Sequence, residues 1–142
     1  MPIGRSKTRY YLSKIRWCST PCFWVDDTGA IVNGDCYWLA LNHGMPADWL
    51  WLALAIGNST FIESFYDHRF NNKLYSNRRR FMAQYVSLFP LPDLDAKCAQ
   101  RIVSLARSLW KALSSSDIKL VAEEAELDRL IWSAFGVEKI GG

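Results

Sequence analysis

Nine residues, WLWLALAIG from Trp49 to Gly57, contain no polar side chain, and Gly-Asn-Ser follows at once. Pro46 suits the first turn of a helix, and Asp48 sits near its positive end. A helix apolar on every side has no solvated face, so it must be enclosed by other elements. Nine residues are too few to span a bilayer, and the continuation brings in Asn58, Ser59 and Glu63. The spacing therefore predicts a buried helix that breaks at Gly57-Asn58-Ser59. It resumes from Thr60 to about Arg69, with Asn58 or Ser59 as its cap.

The covering elements are legible on both sides. Thr8 to Cys18 is rich in aromatic and β-branched residues and reads as a strand. Phe23 to Val32 places two apolar runs around Asp-Asp-Thr-Gly, a hairpin signal with Gly29 at the turn. Cys36 to Asn42 reads as a further strand. Asn71 to Asn77 is a polar loop. Arg78 to Phe89 reads as a strand ended by Pro90 and Pro92. Asp93 to Leu113 is a strongly amphipathic helix, Ser114-Ser115-Ser116 is a break, and a last helix runs from Glu123 to Phe135 and ends at Gly136. The expected fold is α+β: a small, mostly antiparallel sheet packed with a buried broken helix and C-terminal amphipathic helices. At 142 residues the chain suits one domain, residues 1–142.

Charge is unevenly spread. The first 92 residues hold ten Lys/Arg and six Asp/Glu, and the remainder seven and eight. Arg5, Lys7, Arg9, Lys14 and Arg16 follow one another with no acid between them, and Arg69, Lys73, Arg78, Arg79 and Arg80 form a second group. Such stretches are either solvated surface or the footprint of a polyanion. On an extended segment Arg78 and Arg80 share one face and Arg79 the other, so at least one of the three is expected to pack inward or pair with an acid.

Catalytic chemistry is not legible. The sequence has no Gly-rich phosphate loop, no HExxH and no nucleophile elbow. Asp26-Asp27 with Gly29 reads as a turn, and Glu123, Glu124 and Glu126 head a helix, where acids stabilise the dipole. His43 and His68 have no Cys or Ser partner by sequence. Cys18, Cys22, Cys36 and Cys98 read as free thiols rather than as a disulfide framework or zinc site. The basic N-terminus lacks the apolar stretch of a signal peptide, so a soluble cytoplasmic protein, with no membrane partner, is the expectation.

The order of these features resembles the C-terminal specificity domain of TaqI-like type II DNA adenine methyltransferases and restriction–modification enzymes. The resemblance rests on LALAIGNSTFIESFY (Leu52 to Tyr66), NNKLYSNRRRFMAQYV (Asn71 to Val86), FPLPD (Phe89 to Asp93) and ELDRLIWSAFGV (Glu126 to Val137). It covers roughly Tyr10 to Gly136. It implies a detached target-recognition domain that binds double-stranded DNA. The Asn-Pro-Pro-Tyr-type motif and the S-adenosylmethionine site of the family would belong to a catalytic domain or subunit outside this sequence, so the chain itself needs no cofactor or metal.

On this reading Lys73, Arg78, Arg79 and Arg80 contact phosphate or guanine, and Asn71, Asn72 and Asn77 contact base edges or phosphates. Tyr75 stacks or packs. Arg5, Lys7 and Arg9 form a second phosphate-contacting arm or a loose terminus. Loop geometry alone also accounts for the asparagines. Two other readings stay open. One is an interaction module that docks on a separate methyltransferase subunit through Trp17, Trp24 and Trp38. The other is a remnant that folds and binds nothing.

Overall fold

The computed structural model describes residues 9–12, 23–26, 37–70, 79, 81–115 and 120–139. Three short strands, β1 (Arg9–Leu12), β2 (Phe23–Asp26) and β3 (Tyr37–Ala40), form one antiparallel sheet in the order β2-β1-β3. Leu12 stands opposite both Phe23 and Tyr37, and Arg9 opposite Asp26 and Ala40. The expected α+β class is borne out, with helix dominant. The turn at Gly29, Cys18, Cys22 and Cys36 lie outside the described residues.

Helix α1 (Asp48–Gly57) is buried continuously from Leu54 to Gly57, as its uniform apolar sequence requires. Leu52, Ala55 and Ile56 enter one core with Phe61 and Ile62 of α2 (Thr60–Phe70), and with Ala99, Ile102, Val103 and Ala106 of α4 (Lys97–Ser115). Leu130 and Ile131 of α5 (Val121–Ala134) complete that core. Leu50 and Leu54 point instead into a second cluster with Phe23, Tyr66 and Phe81. One helix thus serves two cores. Leu52 and Ile56 are fully buried, each worth about 1.5–3 kcal/mol in transfer terms.

The break after α1 has two named causes. Ser59 accepts the Ile62 N–H at 3.2 Å and donates to the Ile56 carbonyl at 2.6 Å, capping α2 as its sequence position predicts. Asn58 does something different. Its carboxamide accepts the Phe23 N–H at 2.7 Å and donates to the Phe23 carbonyl at 2.9 Å, as a neighbouring strand would. Gly57 allows the strand to come this close, because a Cβ there would lie 2.4 Å from the Phe23 ring.

Among the described residues of Arg78–Phe89 the expected strand reduces to a single β-bridge at Arg79. Within it, Ala83–Val86 is a single helical turn, α3, entered from an extended Met82. Phe81, Tyr85 and Phe89 recur every four residues, a spacing that fits both a strand face and successive helical turns. Ala83-Gln84, two good helix formers placed between the aromatics, permit the helical turn. The three rings gather on Tyr66, with centroids 4.7, 6.1 and 6.3 Å away.

Helix α4 starts at Lys97, four residues later than expected. The Asp93 carboxylate takes the Asp95 N–H at 3.1 Å and turns the chain before the helix begins. Helix α5 ends at Gly136, whose φ of 67° closes it. Among the described residues no helix is long and apolar enough to cross a membrane.

Candidate nucleic-acid interface

The basic segment is mounted on the C-terminal end of α2. The chain leaves that helix at Phe70 and returns at Arg79, and both ends are fixed to it. Arg79 grips Asp67 with a two-pronged ion pair, Nε to Oδ1 at 2.7 Å and Nη2 to Oδ2 at 2.8 Å. Its Nη1 lies 3.9 Å from Glu63, one helical turn further back. Planar guanidinium on carboxylate in this fork geometry is the strong form of the contact. A few ångströms away, Phe70 stacks on Tyr85 at 4.6 Å, and Arg69 lies over the Phe70 ring at 5.6 Å.

Of the three consecutive arginines, Arg79 lies among the described residues and pairs inward, as the alternation of side chains led us to expect for at least one of them. Its charge is balanced by two acids and is committed to holding the segment. Asn71, Asn72, Lys73, Tyr75, Asn77, Arg78 and Arg80 lie outside the described residues, as do Arg5 and Lys7. Arg9 is placed on the central strand, opposite Asp26 and Ala40. Trp17 and the side chains of Trp24 and Trp38 also lie outside the described residues.

Burial raises the Glu63 carboxyl above its ordinary value of 4.5, against the pull of Arg79 and with the help of neighbouring Asp67. A carboxyl with a raised pKa in the folded state favours folding at low pH, and that contribution is lost as pH rises above 4.5. Glu63→Gln should therefore be tolerated best at neutral pH. The stability difference should move in favour of the wild type as pH falls toward 4.5. Urea unfolding of both proteins across that range checks the sign, and a difference that moves the other way refutes it.

The second conspicuous constellation sits at the other end of α2. Asp128 on α5 accepts the Thr60 N–H and the Thr60 hydroxyl, both at 2.7 Å, and Lys139 at 3.0 Å. The Trp132 indole N–H donates to the same Thr60 oxygen at 2.9 Å. Phe135 stacks on Phe61 at 4.2 Å with the rings 3° from parallel, and Trp132 meets Phe61 edge-on. The two motifs GNST and ELDRLIWSAF thus meet each other. Their work is to join α2 to α5, and α2 to the sheet through Asn58. Spacing in the sequence could not show this, because Thr60 and Asp128 are 68 residues apart.

Nothing among the described residues assembles a reaction centre. The nitrogen Nδ1 of His68 donates to the Ser64 carbonyl at 2.7 Å, while the Ser64 hydroxyl stands 3.5 Å from it. No group of three metal-ligating side chains occurs among the described residues, and Cys98 is a free thiol.

No protein-family model matches the chain. It is similar to the type II methyltransferase M.BanIII of Aneurinibacillus aneurinilyticus, with 36% identity over 120 residues. The matched region is 84% of this chain and 20% of that protein. The chain thus spans about a fifth of the length of this curated relative, and it is related to that part of a type II methyltransferase.

Proposed function

We propose that this chain is a DNA-binding target-recognition module of a type II restriction–modification methyltransferase, confers sequence specificity, and does no catalysis by itself. The observation that carries this is the built base of the basic segment. Arg79, Asp67 and Glu63 fix its return point on a rigid helix. Similarity to a type II methyltransferase over 84% of the chain supports the same reading.

Among the described residues no site suits S-adenosylmethionine. The described sheet is antiparallel throughout and offers no crevice at the ends of parallel strands, and the sequence holds no Asn-Pro-Pro-Tyr element. Methyl transfer and cofactor would reside in a catalytic domain or subunit that works with this module on double-stranded DNA in the bacterial cytoplasm.

The test is fluorescence anisotropy on a labelled mixed-sequence duplex across a salt series. Replacing Lys73, Arg78 and Arg80 together by alanine should weaken binding. It should also flatten the slope of log K against log salt by about 0.9 for each phosphate contact removed. An affinity that does not change on this triple substitution overturns the reading.

A further inference from the structure

Helix α4 carries four cations, Lys97, Arg101, Arg107 and Lys111, and no Asp or Glu in its 19 residues. The region from Asp93 onward is otherwise acidic, so this helix collects positive charge against the local trend. Ala99, Ile102, Val103, Ala106 and Leu109 turn into the core. At 3.6 residues per turn the opposite pole is then Lys97, Arg101, Ser104, Ser108 and Lys111, and all five are exposed. Every side chain in that row donates hydrogen bonds, and none is apolar or acidic. The row runs about 21 Å, with a rise of about 6 Å for each step of four residues.

An ordinary solvated helix mixes signs along its face, and α5 in this same molecule does so. There Glu126 holds Arg129 at 2.8 Å, a bond that lowers the Glu126 carboxyl below its usual value. In α4 Arg107 leans toward an acid, and it stands off the row. It reaches sideways to Asp48 and lies over the Trp51 ring at 5.7 Å. Gln100, two turns before Arg107 on the same flank, is spent on the Leu94 carbonyl at 2.6 Å. Among the described residues Lys97 and Arg101 form no ion pair, and Arg101 senses Glu126 only through space.

We propose that the outer face of α4 is a second DNA contact, which grips the phosphate backbone of one strand without reading sequence. The proposal rests on the DNA-binding reading above and adds to it a site distant in sequence from the basic segment. Cations and hydroxyls along one line suit phosphate oxygens, and a row without acids imposes no repulsion on them.

The experiment compares wild type with the Lys97→Gln, Arg101→Gln, Lys111→Gln triple variant on two labelled duplexes of unrelated sequence, from 50 to 200 mM salt. The expected result is a salt slope flatter by about 2–3, at about 0.9 per lost phosphate contact, with equal loss on both duplexes. Lys97→Arg with Lys111→Arg should bind as wild type does. Unchanged affinity and slope in the triple variant, with wild type still binding, overturn this site alone. Weakened binding with an unchanged slope overturns it too, because the effect is then indirect. A wild-type chain that binds neither duplex at 50 mM salt overturns both this site and the function on which it rests.

Discussion

Asp128→Ala should lower the unfolding free energy by about 3 kcal/mol. The carboxylate receives three hydrogen bonds, two from Thr60 and one from Lys139, and bonds to a charged group are worth about 1.5–3 kcal/mol each before exposure discounts them. Here the Asp128 side chain is 14% exposed and Lys139 53%, so the Lys139 bond contributes little. The main loss is the Thr60 N–H at the start of α2, which no residue of its own helix can satisfy. Asp128→Asn should recover about half, since an amide oxygen still accepts that N–H at reduced strength. Urea denaturation of the three proteins measures this directly. A loss below about 0.5 kcal/mol for the alanine variant, the level of an ordinary surface change, would mean that the clamp is decorative.

Arg79→Ala is expected to cost about 2–3 kcal/mol. Removing one partner of a fully buried pair costs about 3–5 kcal/mol, and this arginine is 15% exposed with acids at 21% and 22%, so the penalty is softened. The substitution removes the guanidinium that Asp67 and Glu63 share. Arg79→Lys should rescue only part of the loss, because an ammonium cannot make the two-pronged contact. DNA binding separates the roles. If Arg79 positions the basic segment without touching phosphate, its removal weakens binding and leaves the salt slope as it was. A slope flatter by about 0.9 would instead make it a phosphate contact.

Much of the scaffold was legible because it rests on local rules. The uniform apolar run of α1, the Gly-Asn-Ser break, the capping serine, the amphipathic α4 and the glycine that stops α5 each follow from neighbours a few residues away. What was not legible depends on partners far along the chain. Asn58 read as a candidate cap, and its carboxamide is instead bonded to a strand 35 residues earlier. Asp128 sat within a quoted motif with no role until Thr60 was placed beside it. The aromatic triplet Phe81, Tyr85 and Phe89 satisfied two periodicities, and only the packing on Tyr66 distinguished them. At the candidate interface, the inward pairing of one arginine followed from strand alternation, but Asp67 and Glu63 as its acceptors did not. A spacing of four along α2, followed by a basic run, was the available signal.

The Asn58 bond to Phe23, together with the notch at Gly57, has a consequence for how the sheet is indexed. A strand of four residues pairs with its neighbour through too few bonds to fix its own alignment, and a slip of one residue turns every side chain to the wrong face. Here the helix supplies the missing mark. The amide accepts one residue's N–H and donates to the same residue's C=O, and the notch fits that residue's ring only in place of a Cβ. With Phe23 located, Leu12 is located opposite it, and Tyr37 opposite Leu12. The alignment of all three strands is thus referred to a single point on the rigid helical body, and α1 serves as the ruler for the sheet.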